Sequence, residues 1–170
     1  MIWTYNKIVK NRNQITFAKQ NIDIQLKKRF EALPNIAATV KRFLEHENSL
    51  HTDISKLRTQ YENSTSSKEK YEVEHQISDL FSKILISVEN YPIIKTEESV
   101  LHLQRSINEL TEHISAAERA YNGAVLEYNN SISIFPNNVL ASIFNFKTEE
   151  YMQLITAPEQ RKNPDISTII

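Results

Sequence analysis

The most regular pattern in the sequence occupies residues 103–135, which read LQRSINELTEHISAAERAYNGAVLEYNNSISIF. Large side chains recur in it every seven positions, at Ile107, Ile114, Tyr121, Tyr128 and Phe135. Other apolar residues fill the turns between them, at Leu103, Leu110, Ala117, Ala124 and Ile132. A heptad repeat sustained over this length predicts a long helix that packs nearly parallel to its neighbours with a left-handed twist.

The composition agrees with long helices and excludes several classes of protein. The 170 residues include one Gly, five Pro and no Cys, whereas average usage would give roughly 12 Gly and 8 Pro. Turns that need a positive φ must be rare, which argues against sandwiches, barrels and Rossmann folds. A single glycine cannot build a phosphate-binding loop or a nucleophile elbow. The absence of Cys excludes disulfides and thiolate chemistry.

Three further helices precede the heptad stretch. Apolar residues at helical spacing mark a first segment from Tyr5 to Phe30 and a second from Ile36 to Tyr61. Pro34 lies between them and removes an amide donor, so the chain either reverses at residues 32–35 or continues as one helix kinked at Pro34. We expect the reversal, because it gives a more compact core.

Loop-forming, capping and helix-breaking residues mark the other boundaries. Residues 63–67 are short polar residues typical of a loop, and Ser66 with Glu69 fits a capping box at the start of a third helix. That helix is expected to end before Tyr91 and Pro92, and the fourth to begin at Thr96 and end at residues 135–138.

The C-terminal part is expected to be only partly helical. Residues 139–146 are a short apolar run that would lie across one end of the bundle, and residues 148–150 could open one more turn. The overall prediction is therefore an all-α, elongated, up-and-down four-helix bundle with a short C-terminal helical segment. It comprises one domain, residues 1–156, and a loose tail, residues 157–170.

Charge is unevenly distributed along the chain. The net charge is −1, but residues 1–62 carry 11 Lys and Arg against 6 Asp and Glu, whereas residues 63–170 carry 9 against 15. The basic excess is greatest in the first helix, at Lys7, Lys10, Arg12, Lys19, Lys27, Lys28 and Arg29. This set is either a basic face near an anionic surface such as a membrane, or the complement of the acidic helices of the same bundle.

The second half repeats a dipeptide, Tyr121-Asn122 and Tyr128-Asn129. Seven residues apart, the two tyrosines share one helix face. They are candidate packing or interaction residues: core rings whose hydroxyls reach a partner, or the walls of a ligand slot.

No motif specifies a metal or a reaction. A di-iron bundle needs two Glu-x-x-His pairs, and the sequence offers one, at residues 72–75. His46 and His51 are five residues apart rather than the four that a zincin helix requires. We therefore expect surface histidines, no metal, no cofactor, no catalysis, no nucleic-acid ligand and no small-molecule substrate.

The chain resembles the LemA family from about residue 4 to residue 152. In the first half the matching motifs are Tyr5-Asn6, Arg12-Asn13, residues 22–29 (IDIQLKKR), Leu33-Pro34-Asn35, Thr39-Val40-Lys41 and His46-Glu47. In the second half they are Tyr91-Pro92, Leu103-Gln104, Ala120-Tyr121-Asn122, Val125, Tyr128-Asn129, Phe135-Pro136 and Phe144-Asn145-Phe146.

The resemblance implies a bacterial protein with a single N-terminal transmembrane helix, a cytoplasmic helical bundle and a poorly defined molecular function. Some members occur in magnetosome membranes. Residues 1–3 are far too few to span a bilayer, although Trp3 and Tyr5 followed by basic residues follow the order found where a spanning helix leaves lipid. We therefore expect an anchor outside this sequence, a soluble chain as it stands, and a location at the bacterial inner or cell membrane.

These observations give two hypotheses for function. The first is a membrane-anchored, non-catalytic scaffold or interaction module that binds the membrane and an unidentified protein. The second is a four-helix bundle that binds a small molecule or a metal between its helices.

Overall fold

The computed structural model describes residues 2–44 and 48–154, except for the side chain of Asn48. Five helices occur in this part of the chain: α1 (Ile2–Phe43), α2 (Asn48–Asn63), α3 (Ser67–Asn90), α4 (Glu98–Ser133) and α5 (Asn137–Ile143). No strand occurs among the described residues. The all-α prediction is confirmed.

Helix α1 continues through Pro34, so the expected reversal at residues 32–35 is wrong. Leu33, Ile36 and Val40 are buried on the same face as the apolar residues that precede them. Pro34 is exposed, which places its ring toward solvent. Burial of the uninterrupted apolar stripe offsets the hydrogen bond that the proline nitrogen cannot donate. The chain leaves α1 after Phe43, and the second segment predicted from the sequence is divided between the end of α1 and α2.

The capping and helix-breaking residues in the sequence predict the ends of α3 correctly and the ends of α4 to within a few residues. The capping box is present, because the Glu69 amide donates to the Ser66 hydroxyl and the Glu69 carboxylate accepts from the Ser66 amide. Helix α4 has Glu97, not Thr96, as its N-cap, without a side-chain cap bond. Residues 148–150 are not helical, contrary to the expected extra turn. The predicted tail, residues 157–170, lies outside the described residues.

Helices α1 and α4 form the longest contact in the molecule and run in opposite directions. The start of α1 lies beside the residues that follow α4, since the rings of Tyr5 and Phe144 are 4.9 Å apart. Near the middle of both helices, Arg29 of α1 donates a hydrogen bond of 3.5 Å to Thr111 of α4.

Helices α2 and α3 complete one end of the molecule. Helix α2 returns along α1, where Phe30 stacks on Tyr61 with ring centroids 4.2 Å apart. Helix α3 then runs antiparallel to α2, with Lys83 and Asp53 forming an ion pair of 3.5 Å. The helix packing is consistent with the bundle that the sequence predicts.

The buried apolar residues form two separate clusters. The first cluster draws on α1 to α4 and comprises residues 33, 36, 40, 44, 50, 54, 57, 73, 77, 80, 81, 84, 88, 100, 103 and 107. The second cluster draws on α1, α4, α5 and the chain beyond, and comprises residues 8, 15, 18, 22, 26, 114, 117, 121, 125, 128, 132, 141 and 154. Helices α1 and α4 therefore span both clusters, while the fully buried apolar residues of α2 and α3 belong to the first. Tyr71 of α3 is partly buried and packs against the second.

The chain turns back after α5 through Asn145, whose φ is 54°. The amides of Asn145 and Phe146 donate to the carbonyls of Ser142 and Ala141, which is the Schellman arrangement of a helix C-terminus. Asn tolerates this left-handed backbone better than most residues. The turn directs residues 147–154, called the docked segment below, along α4.

Candidate functional site

Six of the seven basic residues predicted for a membrane-facing surface are exposed: Lys7, Lys10, Arg12, Lys19, Lys27 and Lys28. Successive helix positions turn by about 100°, so these residues surround the outer side of α1 rather than lining one face. They also extend about 30 Å along the axis from residue 7 to residue 27. A membrane at the start of α1 would therefore be near Lys7, Lys10 and Arg12 only.

Arg29 is the exception and corrects the predicted set. Its side chain is completely buried and forms an ion pair with Glu74 of α3, which is also completely buried. Arg29 further donates to the Ser78 hydroxyl at 3.1 Å and lies 4.4 Å above the Phe81 ring. The guanidinium is thus an interior group and takes no part in an exposed basic face.

The Arg29–Glu74 pair separates the two apolar clusters. On α1, Leu26 belongs to the second cluster and Leu33 to the first, and Arg29 lies between them. Arg29 Nε and Glu74 Oε2 have no hydrogen-bond partner. Burying charges with incomplete hydrogen bonding costs free energy. Apolar side chains of similar size would therefore stabilise the fold at least as well as this polar layer does.

Burial and charge act in opposite directions on the two ionisable groups. Burial raises the pKa of Glu74 to about 7, although the adjacent Arg29 acts to lower it. Burial likewise lowers the pKa of Arg29, while Glu74 acts to raise it. Desolvation is the larger effect for both groups, as expected where an ion pair is removed from water.

The sequence contained a signal for Arg29 that charge counting missed. Arg29 occupies the heptad series of Ile8, Ile15, Ile22 and Ile36, where every other member is buried. A basic residue at such a position indicates an interior charge with a partner. A shorter series of the same kind marks Glu74, because Phe81 and Val88 follow it at seven-residue spacing and both are buried.

Both Tyr-Asn pairs of α4 bind the backbone of the docked segment. The Asn129 side chain exchanges two hydrogen bonds of 2.9 Å with the amide and carbonyl of Glu149. Asn122 does the same with Met152, at 2.8 and 2.9 Å. Each side-chain amide thus satisfies the backbone as a neighbouring strand would.

The tyrosine hydroxyls add two bonds to the same backbone. Tyr128 donates to the carbonyl of Lys147 at 2.9 Å, and Tyr121 donates to that of Glu150 at 3.4 Å. Burial raises the pKa of both tyrosines from its ordinary value, and a phenol is protonated at neutral pH even without this effect, so both hydroxyls can donate. The four residues therefore form one arrangement, called the α4 clamp below. The slot considered from the sequence is occupied by the chain itself.

A polar cleft of about 620 Å³ lies between α2 and α3 beside the connecting loop. It is open to solvent and lined by Lys56, Gln60, Glu69, Glu72 and Gln76 among others. Gln60 Oε1 is buried without a hydrogen-bond partner. An unpaired polar atom and a sizeable cavity therefore coincide in this cleft.

The metal candidates are not assembled into a site. Within residues 2–44 and 48–154, no three His, Asp or Glu side chains come together in a way that could hold an ion. Glu72 is exposed and His75 is half-buried. His46 lies outside the described residues. In the same part of the chain, no helix has both the length and the mean hydropathy needed to cross a bilayer.

Comparison with known proteins identifies one family. The family whose sequence model is described as "LemA family" matches residues 18–167, which is most of the chain. The match includes the α4 clamp, the docked segment, Arg29 and Glu74.

Individual relatives match a shorter region. Magnetosome proteins MamQ 1 and MamQ 2 of Paramagnetospirillum magneticum strain AMB-1 are each 35% identical over 71 residues, covering 42% of this chain and 26% of theirs. Magnetosome protein MamQ of Magnetospirillum gryphiswaldense is 28% identical over 69 residues, covering 41% of this chain and 25% of its own. The chain thus aligns with about a quarter of the length of these curated relatives.

Proposed function

Because the chain belongs to the LemA family, we propose that it is the helical part of a membrane-anchored, non-catalytic scaffold that presents a partner-binding surface close to a bacterial membrane. The start of α1 would face the anionic headgroups, and the acidic helices α3 and α4 would face a protein partner. The bulk of the chain would lie on the cytoplasmic side.

One observation supports this orientation more than any other. Every charged residue between positions 2 and 22 is basic, and all four of them are exposed. The first acidic residue of the chain is Asp23. Basic residues beside an anionic leaflet each contribute about 1 kcal/mol of attraction. The similarity of part of the chain to magnetosome proteins also supports a role in organising a membrane-associated structure.

The arrangement of the helices suits a scaffold. We propose that α1 to α4 alternate in direction as an up-and-down bundle, with α1 and α4 extending beyond α2 and α3. Such a molecule places its two ends far apart, because a 42-residue helix has a length of about 63 Å. One end can therefore lie near a membrane while the other contacts a partner.

Vesicle binding tests the orientation with two matched pairs of substitutions. The chain should sediment with anionic vesicles, more weakly as salt rises, and K7Q/K10Q should reduce this binding by roughly tenfold or more. The control K27Q/K28Q removes the same charge about 30 Å further along α1, beyond the Debye length of about 10 Å, and should change little. Equal effects of the two pairs, or binding to neutral vesicles at the same level, would contradict the proposal.

The complete protein, with its anchor, tests the scaffold role. Cross-linking in native membranes should recover a protein partner, and charge-reversing substitutions on the exposed acids of α3 and α4 should reduce that cross-link. Recovery of the complete protein from the supernatant rather than the membrane fraction would rule out the anchored scaffold.

The second hypothesis, a bundle that binds a small polar molecule, has the α2–α3 cleft in its favour. The unpaired Gln60 acceptor would receive a hydrogen bond from such a ligand. A thermal-shift screen of small polar metabolites tests this: stabilisation that disappears in Q60L, with the unliganded melting temperature little changed, would support the binding site over the scaffold.

A further inference from the structure

The start of α1 and the region around α5 together form an exposed apolar surface, called the apolar end below. Sixteen large hydrophobic residues are exposed in the described chain, and eight of them fall within residues 2–5 and 134–144. They are Ile2, Trp3, Tyr5, Ile134, Phe135, Val139, Ile143 and Phe144. Such concentration at one end of a helical protein indicates an interaction surface.

The two parts of this surface are joined physically. Ile2 and Tyr5 of α1 line an apolar pocket of about 330 Å³ together with Leu140 and Phe144. The Tyr5 ring lies 4.9 Å from Phe144 and 5.9 Å from Phe146. The aromatic contacts fix α5 against the beginning of α1, so both sets of apolar side chains belong to one end of the molecule.

The charge pattern identifies what this surface meets. Residues 128–146 contain no charged residue, and every charged residue before Asp23 is basic. Lys7 lies 5.9 Å above the Trp3 ring. The exposed apolar residues, the rings of Trp3 and Tyr5 and the basic residues Lys7 and Lys10 follow the order of layers in an anionic bilayer from its acyl region to its headgroups. An acidic residue, Glu149, lies near Arg12 and Tyr128, further along α1 from these layers.

We propose that the apolar end inserts into the interfacial region of an anionic lipid bilayer, with α5 and Trp3 among the acyl chains and Lys7, Lys10 and Arg12 at the headgroups. Helices α1 and α4 then stand away from the membrane rather than lying on it. This inference deepens the membrane-proximal role proposed above and rests on it. It adds a second lipid contact, from α5, which begins only at residue 137 and is therefore distant in sequence from the start of α1.

Trp3, the single tryptophan, reports insertion directly. Emission of the chain should shift to shorter wavelength when vesicles of phosphatidylcholine and phosphatidylglycerol are added, and brominated lipid should quench it. V139S/I143S changes only exposed side chains of α5 and should lower the partition coefficient by roughly tenfold. Circular dichroism and the melting temperature check that this variant remains folded.

A control pair removes apolar side chains that are at least as exposed from the opposite end. Ile86 and Ile93 are 60% and 89% exposed, and I86S/I93S should leave partitioning and Trp3 emission unchanged. Because the chain has no cysteine, a polarity-sensitive dye on I143C and on I93C gives a second measurement. Only the dye at position 143 should report an apolar environment with vesicles.

Three outcomes would overturn the inference. The first is that V139S/I143S partitions into vesicles as the parent does, and the second is that both serine pairs lose partitioning equally. The third is that the chain dimerises without lipid and V139S/I143S abolishes the dimer. Each would show that lipid does not cover this end. If V139S/I143S binds vesicles normally while K7Q/K10Q still weakens binding, the insertion of the apolar end is wrong. The membrane-proximal orientation of α1 proposed above is then retained. If neither vesicle type binds the chain, both fail.

Discussion

At the scale of single residues, the most informative feature is the pair Arg29 and Glu74, buried between two apolar clusters. Each charge is costly in the interior, and each is tolerated because the other is present. The pair links α1 to α3 at one axial position, whereas apolar contacts would permit neighbouring positions. We therefore expect the pair to fix the alignment of these helices, as a buried polar residue does in coiled coils.

A double-mutant cycle measures this. At neutral pH, E74M should cost about 3–5 kcal/mol in the free energy of unfolding, because it leaves the buried Arg29 charge unpaired. R29M should cost less, because Glu74 without Arg29 takes up a proton and becomes neutral. R29M/E74M should be close to the parent or more stable by about 1–4 kcal/mol. Urea unfolding of the four proteins gives the coupling energy. Additive losses in the double variant would show that the two groups do not act as a pair.

The raised pKa of Glu74 predicts a pH dependence with a definite sign. Between pH 4.5, the ordinary value, and about 7, folded Glu74 retains a proton that the unfolded chain has lost. Its contribution to stability therefore decreases as pH rises across this interval, by up to about 1.4 kcal/mol per pH unit. The difference in unfolding free energy between the parent and R29M/E74M isolates this effect. As pH rises toward 7, the double variant should become increasingly stable relative to the parent. A difference in unfolding free energy that is constant from pH 4.5 to 7 would contradict the prediction.

At the scale of elements, α1 shows how tertiary packing overrides a local signal. Pro34 costs about 3 kcal/mol relative to Ala inside a helix, yet the helix continues because Leu33, Ile36 and Val40 all remain buried. P34A should restore the missing hydrogen bond and stabilise the protein by about 1–3 kcal/mol. N35A, at the adjacent exposed position, should change stability by only a few tenths. A loss of stability in P34A would favour a reversal at Pro34.

The α4 clamp and the docked segment form the second element-level feature. N129A removes both bonds to Glu149, so the Glu149 amide should lose protection from hydrogen exchange, at a global cost of about 1–2 kcal/mol. N130A, at the exposed neighbouring asparagine, is the control and should leave that amide protected. Unchanged protection in N129A would show that the segment is held by other contacts.

These elements also show which parts of the fold the sequence could predict. The start of α3 and the heptads of α4 were predicted because a capping box and an apolar repeat are local patterns. The continuation of α1, the partner of Arg29 and the occupant of the α4 clamp were not, because each depends on residues distant in sequence. Glu74 is 45 positions from Arg29, and Met152 is 30 from Asn122.

At the scale of the whole molecule, the two ends differ in how they are built. The first cluster combines four helices, whereas α5 contributes only Ala141 to the second. We therefore expect residues 137–154 to exchange amide hydrogens through local opening, well before the middle of α4 does. Exchange measured by mass spectrometry checks this, and uniform protection along residues 98–154 would contradict it. An end that opens easily is also suited to rearrange when it enters lipid.

The α4 clamp has a consequence for how this protein tolerates sequence change. Seven helical residues advance about 10.5 Å and three extended residues about 10 Å, which is why Asn122 and Asn129 meet Met152 and Glu149. The clamp binds backbone groups that every amino acid except proline carries, so substitutions other than proline at the exposed positions 147–151 should cost little. Met152 is different, because its side chain also packs against the second cluster. A single-residue insertion or deletion within residues 147–152 breaks the shared spacing, and natural variants should therefore differ in the identity of these residues but not in their number.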